Sequence, residues 1–215
     1  MCSISMRSSI STFLVSLALL LSAGLSTAQT SAASGVQGKT DILWLGQAGF
    51  RIKTPGGKII LIDPWITGGP KTPFQYKNDL AAIGPIDLLL VTHAHVDHIG
   101  DAPALAKMNN TKLYGPADMV TPLIFLGLLP ADLGHRFNKS GIITPLPGIK
   151  VTAVKAEHSS LLVHKNPVTE KMEAHHAGEA MGYIIELENG FKIWHMGDTG
   201  SVSYTHLTLP TNREV

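Results

Sequence analysis

With 215 residues, 17 basic and 16 acidic side chains and ten histidines, the chain has the size of one domain or two small ones and a formal charge of only +1. That balance offers no field to attract a polyanion, so no nucleic-acid partner is expected. The single cysteine, Cys2, precedes the first apolar run, which excludes disulfides, thiolate ligands and a cysteine nucleophile from a processed protein.

Arg7, the apolar residues 10–21 and the small residues Ser26, Thr27 and Ala28 follow the pattern of an export leader, residues 1–28, cleaved after Ala28. The apolar run is shorter than the roughly 20 residues of a spanning helix. An exported protein, periplasmic or secreted, with no stable membrane insertion is therefore expected. Loss of Arg7 with the leader takes the formal charge from +1 to zero. Residues 29–39, rich in Ser, Ala, Gly and Gln, read as a flexible lead into a domain spanning 40–200.

Residues 42–45 and 50–53 read as strands joined by the Gly-Gln-Ala-Gly stretch 46–49. Pro55, Gly56 and Gly57 make a turn, and the apolar residues 59–62 form a strand covered on both faces, ended by Asp63-Pro64. Three strands with short turns predict a meander. The Gly- and Pro-rich residues 65–76 read as a loop, and residues 80–83 as one helical turn that Gly84-Pro85 breaks.

Residues 86–91 form an apolar strand that runs straight into His93, His95, Asp97 and His98. On an extended chain His93 and His95 point the same way; Asp97 and His98 come from the turn that follows and can approach from another side. Imidazole and carboxylate suit zinc, iron or manganese. Residues 101–108 read as a helix with Asp101 as its cap and Pro103 near its start.

Residues 112–114 read as a strand and 116–129 as mixed helix and loop, where Val120, Leu123, Ile124 and Leu128 at helical spacing serve core packing more readily than a substrate wall. Residues 149–156 alternate as a strand, interrupted by Glu157-His158-Ser159-Ser160. A second long loop, 161–180, carries His164, His175 and His176; the last two either approach substrate or stay solvated. Residues 181–187 and 191–196 form a hairpin around Asn189-Gly190 that ends at Gly197-Asp198-Thr199-Gly200.

The recurring unit is an apolar strand with a polar tip. Asp63, His93, His158 and Asp198 all occupy such tips, so they are expected to converge along one sheet edge. Hairpins with helices between them predict an α/β fold of the four-layer αββα sandwich type, in place of a regular alternation of strand and helix.

A zinc ion held by three protein nitrogens keeps a position for water, whose pKa falls to about 7. His93, His95 and His158 can supply those nitrogens. Asp97 and His98 can hold a second ion, with Asp198 as the bridge. Two divalent ions, zinc first and manganese or iron as alternatives, then share a hydroxide, and Asp97 and Asp198 are the candidates to move its proton. Asp63 is placed to orient an imidazole through its other ring nitrogen. Residues 46–49 lack the Gly-Lys-Ser/Thr ending of a phosphate loop.

The segments W-L-G-Q-A-G-F from Trp44, I-L-I-D-P-W-I-T-G-G-P from Ile60, T-H-A-H-V-D-H-I-G-D from Thr92, E-H-S-S from Glu157 and H-M-G-D-T-G from His195 resemble the metallo-β-lactamase superfamily. The resemblance is specifically to its UlaG-like, UPF0173 type of small metal-dependent hydrolase, over residues 40–200. It implies an αββα sandwich with a binuclear site: His93, His95 and His158 on one metal, Asp97 and His98 on the other, and Asp198 between them. It implies a small-molecule substrate without choosing one, since relatives cleave lactams, lactones, thioesters and phosphodiesters.

Two departures stand out. Gln47 occupies a position where many of these relatives have histidine. The family pattern also continues past G-D-T-G to a final histidine ligand, whereas residues 201–215 do not resemble that continuation and read as an atypical tail. The domain is therefore expected to be incomplete at its C-terminal side, with His206 as a possible substitute ligand. The function expected is hydrolysis of a small-molecule ester, lactone, amide or phosphoester by metal-activated water. A β-lactamase is a narrower version, and a noncatalytic metal-binding or structural module is the alternative from another class.

Overall fold

Three antiparallel strands open the domain: β1 (Asp41–Gly46), β2 (Gly49–Lys53) and β3 (Ile59–Ile62), paired in chain order. The computed structural model describes residues 37–166 and 168–202. The leader at 1–28, most of the lead at 29–39, and His206 with nearly all of the tail lie outside those residues. The predicted meander is present, and its first turn depends on Gly46 at φ +100°, where a Cβ would come within 2.9 Å of the Lys71 and Thr72 backbone.

From β3 onward the same sheet turns parallel. α1 (Phe74–Lys77) and a 3-10 turn at Leu80–Ile83 lead to β4 (Leu88–Leu90); α2 (Val96–Ile99) and α3 (Ala102–Asn109) lead to β5 (Leu113–Pro116). α4 (Ala117–Phe125) then leads to β6 (Gly134–Phe137), and β3, β4, β5 and β6 pair side by side in parallel. This half is a strand–helix alternation, contrary to the sequence expectation. Parallel neighbours need a long crossover, and a helix is the usual solution.

A second sheet holds β7 (Ile142–Leu146), β8 (Ile149–Lys155), β11 (Met181–Glu186) and β12 (Lys192–His195) in the order β12-β11-β8-β7, antiparallel throughout. Between β8 and β11 the chain forms a separate hairpin, β9 (Leu161–Lys165) with β10 (Met172–His176). The expected long loop at 161–180 is therefore largely strand. Its polar composition hid an alternation in which Leu162 and His164 are buried while Leu161, Val163 and Lys165 are exposed. β7 also escaped the sequence reading because Pro145 interrupts it, which an edge strand tolerates.

Two apolar cores follow from this layering. Ile60, Ile62, Leu88 and Leu90 meet Val151, Ala153, Tyr183 and Ile185 between the sheets. Leu61, Leu89, Val91 and Leu113 meet Leu105, Ala106, Val120 and Leu123 of α3 and α4 on the other side. β3 and β4 are thus buried on both faces, which is why their sequences are unbroken apolar runs. Each such side chain contributes about 1.5–3 kcal/mol on burial. Val120 and Leu123 are core residues, as expected. Helix, sheet and sheet give three layers of the αββα sandwich; among the described residues no helix of the second sheet's own outer layer is present.

Asp101 departs from its expected role. It makes no side-chain cap on α3; its carboxylate instead accepts from Ile66 N at 2.5 Å, Thr67 N at 2.9 Å and Thr67 Oγ1 at 2.8 Å. It ties the loop after β3 to the segment that carries the histidines.

Candidate metal centre

The end of β4 delivers the first donors. After Leu90 the chain leaves the strand, bends at Thr92 and His95, and enters α2 from His95 (φ −64°, ψ 146°), so Asp97 and His98 sit on a short helix and not on the expected turn. Strand end and helix start together turn one hexapeptide around a common point. His93 Nε2 lies 3.0 Å from His95 Nδ1, and His158 Nε2 lies 3.2 Å from the same His95 atom. Two nitrogens about 2.1 Å from a tetrahedral zinc ion would lie about 3.4 Å apart. Both separations from His95 Nδ1 are close to that spacing, and the three ligand nitrogens all lie within 4.8 Å of one another.

A second group adjoins them. His93, His98 and Asp198 also bring one ligand atom each within 4.8 Å of one another. His98 Nε2 is 3.4 Å from Asp198 Oδ2 and 3.8 Å from Asp97 Oδ2, and Asp198 Oδ2 is 3.6 Å from His158 Nε2. Asp198 thus stands between the two groups, and Asp97 flanks the second. All six candidate residues are gathered together, His93, His95, His158 and Asp198 on segments that follow strands and Asp97 and His98 on α2.

Below the histidines lies Asp63, wholly buried, with φ +45°. Its Oδ1 accepts from Thr92 N at 2.7 Å; its Oδ2 accepts from Thr92 Oγ1 at 2.7 Å and from His98 Nδ1 at 2.8 Å. Thr92 gives its one hydroxyl proton to Asp63, so its oxygen can accept from His93 Nδ1 at 3.1 Å. One carboxylate thereby orients two imidazoles, one directly and one through a threonine, and turns both Nε2 lone pairs toward the open side. Asp63 was legible as a strand-tip carboxylate; Thr92 was not, because nothing in its spacing distinguishes it from an ordinary strand threonine.

The charges follow. Burial, followed by the neighbouring His98, depresses His93 to about 3, so its ring is neutral and free to donate a lone pair. Burial and His158 likewise lower His95. For His98 burial works against protonation, but the hydrogen bond and charge of Asp63 outweigh it and raise its pKa. Burial would also raise Asp63, yet the His98 hydrogen bond, the charges of His195 and His98 and the Thr92 hydrogen bond together outweigh it and hold the carboxyl below its usual range.

The loops are locked to each other. Ser160 Oγ accepts from Ala94 N at 3.1 Å and donates to Ala177 O at 3.0 Å, joining the histidine segment to the hairpin strand after it. Glu157 N donates to Thr199 Oγ1 at 2.9 Å and Gly200 N to Glu157 O at 3.0 Å, which laces the His158 loop to the Asp198 loop. Tyr183 Oη donates to Val91 O at 2.5 Å. Gln47 is exposed at the β1–β2 turn, where its carbonyl accepts from Trp44 Nε1 at 2.8 Å. His195 donates from Nε2 to Ala48 O at 2.8 Å and accepts from Gly197 N at 3.3 Å.

Two facing sheets, helices packed on one side and a set of histidines and aspartates able to bind metal at the strand tips define a protein of the metallo-β-lactamase fold. The model of the β-lactamase superfamily domain matches residues 58–209, and the chain belongs to that superfamily. It is 78% identical over 185 residues to a UPF0173 metal-dependent hydrolase of Polynucleobacter asymbioticus, covering 86% of this chain and 65% of that relative. It is 61% identical over 166 residues to one of Polaromonas sp., covering 77% of this chain and 60% of the relative. In structure it is similar to Igni18, a novel metallo hydrolase from the archaeon Ignicoccus hospitalis, with a TM-score of 0.59 and 27% identity over 78% of this chain and 64% of that one. The chain thus spans 65% and 60% of the length of these two curated relatives.

Proposed function

We propose that the chain forms the metal-holding part of an exported hydrolase that uses two divalent ions, zinc first, on an ester, lactone, amide or phosphoester of a small molecule. The observation that carries this reading is that His93 Nε2 and His158 Nε2 lie 3.0 and 3.2 Å from His95 Nδ1, with all three ligand nitrogens within 4.8 Å of one another, beside Asp198 and His98. The relatives' shared description as metal-dependent hydrolases supports it. The leader pattern supports export, and the near-neutral charge supports a small molecule over nucleic acid.

When bound, the ions supply a water acidified to a pKa of about 7 and polarise the substrate's carbonyl or phosphoryl oxygen. The protein's own groups do the rest. His93, His95 and His158 would hold the first ion and His98 with Asp97 the second, with Asp198 placed between the two groups. Asp63 and Thr92 fix the imidazole tautomers. Asp97 and Asp198, with side chains 34% and 44% exposed, lie toward the open side, where either carboxylate would be placed to hold or move a proton.

His95→Ala removes the nitrogen common to both short contacts. Metal-dependent turnover across ester, lactone and phosphodiester panels should fall at least 100-fold, and an undiminished rate would sink the assignment. Turnover of penicillins or carbapenems would narrow it to a β-lactamase. A second reading, metal binding without catalysis, is favoured by one observation: Asp97 stands 3.8 Å from His98 Nε2, looser than the first group. Stoichiometric metal without turnover of any panel substrate would select it.

A further inference from the structure

A second set of donors sits on the β9–β10 hairpin and shares no residue with the centre above. The register places His164 directly opposite Glu173 and His175 opposite Leu162, so His164, Glu173 and His175 occupy one face of the hairpin, the inward one. His164 Nε2 is 3.2 Å from His175 Nε2, and the two lie 3.7 and 3.6 Å from Glu173 Oε2. These three separations bracket the roughly 3.4 Å expected between donors on a tetrahedral zinc ion.

The surroundings favour an ion. Asn166 Nδ2 donates to Glu173 Oε1 at 2.7 Å, which fixes the carboxylate through one oxygen and leaves the other facing the histidines, as a supporting hydrogen bond does around a metal. The His164 side chain is only 6% exposed, and its Nδ1 has no hydrogen-bond partner among the described residues. Its ring therefore contributes through Nε2 alone. Between the two Nε2 atoms a hydrogen bond needs one ring to present N–H and the other a lone pair, and Glu173 accepts only; an ion satisfies all three at once.

The hairpin also needs support. It is a sheet of two five-residue strands that joins neither larger sheet; a hairpin of this size is marginal without packing, and Leu162 is the one residue of the two strands in the buried core. His164 lines a groove of about 360 Å³ with Val96, Ile99, Leu123 and Leu128, while the Glu173 and His175 side chains, 34% and 39% exposed, open the cluster to solvent. We propose that His164, Glu173 and His175 form an auxiliary site for one divalent transition-metal ion of the zinc type, which staples the two strands beside this groove. Two histidines and one carboxylate leave a fourth position for water.

The test is a zinc titration of the chelator-stripped chain, compared with His175→Ala and Glu173→Gln, both at half-buried positions. Each variant should bind one equivalent fewer than the parent, or bind that equivalent at least 10-fold more weakly. Amide exchange over residues 161–176 should slow on zinc addition in the parent and not in the variants. Equal stoichiometry and affinity in all three chains would overturn the proposal and leave a plain hydrogen-bonded cluster. His95→Ala serves as the control: it should keep the zinc-dependent protection of 161–176, and loss of that protection would also overturn the proposal. None of these readouts depends on hydrolysis, so failure here and failure of the hydrolase reading are distinguishable.

Discussion

Asp63 and His98 form a buried pair, Oδ2 to Nδ1 at 2.8 Å, between side chains 0% and 1% exposed. The carboxylate also takes both Thr92 donors, so it is the common support of His98 and, through Thr92, of His93. Its own backbone is left-handed, at φ +45°, a conformation that only glycine and short polar residues such as Asp and Asn adopt at low cost.

Asp63→Asn keeps that backbone preference and removes the charge. The variant should lose about 2 kcal/mol of stability, because a buried acceptor of charged and hydroxyl donors is replaced by a group carrying its own N–H. Metal affinity should fall 10- to 100-fold. Thermal denaturation and chelator competition check the two effects, and unchanged metal affinity would show that Asp63 does not orient the histidines.

Ser160→Ala should destabilise by about 1–3 kcal/mol, since Ala94 N and Ala177 O both lose a partner in a site only 1% exposed. Denaturant midpoints measure this directly. A change within 0.5 kcal/mol would mean that water or a local shift replaces the hydroxyl.

Gly197→Ala tests the approach of the Asp198 loop to Thr92. The residue lies at φ +61°, and an added Cβ would stand 3.0 Å from three side-chain atoms of Thr92. Strain of about 1–2 kcal/mol is expected, together with weaker metal retention as Asp198 is displaced. Elemental analysis after dialysis reports the second effect, and wild-type metal content would argue that the loop can shift freely.

Asp87 provides a pH test away from the metal centre. Burial would raise its pKa, but its bonds to Ile59 N at 2.8 Å and Lys58 Nζ at 2.9 Å outweigh that and lower it. A carboxyl held below its unfolded value stabilises the fold above the ordinary value of 3.8, and the stabilisation is lost as pH falls through the folded pKa. Asp87→Asn should therefore cost about 1 kcal/mol at pH 7 and reduce the difference between neutral and acid stability. Parallel loss at both pH values would contradict this.

The strand and helix positions read from the sequence succeeded where a local rule was sufficient. The apolar runs of β3 and β4, the Asn-Gly hairpin between β11 and β12, and the one-turn segment at Leu80–Ile83 all need only pattern and turn chemistry. The hairpin of β9 and β10 did not read as strand because its inward face carries His164, Glu173 and His175 in place of apolar residues. Asp101 looked like a helix cap because caps are local; its actual partners, Ile66 and Thr67, lie more than 30 positions away.

By itself the sequence determined the candidate donors and their chemistry: histidines at alternate positions after an apolar strand, with carboxylates beside them. The family resemblance followed from the same residues. Only the tertiary structure decided which nitrogens face each other, that Thr92 relays Asp63 to His93, that α2 and not a turn carries Asp97 and His98, and that a second histidine pair meets across a hairpin. Residue type and spacing along one strand are local properties, whereas the convergence of Asp63, Thr92, His158 and Asp198 is produced by two sheets packing face to face. That packing is decided by the burial of β3, β4, β8 and β11 together, which no single segment encodes.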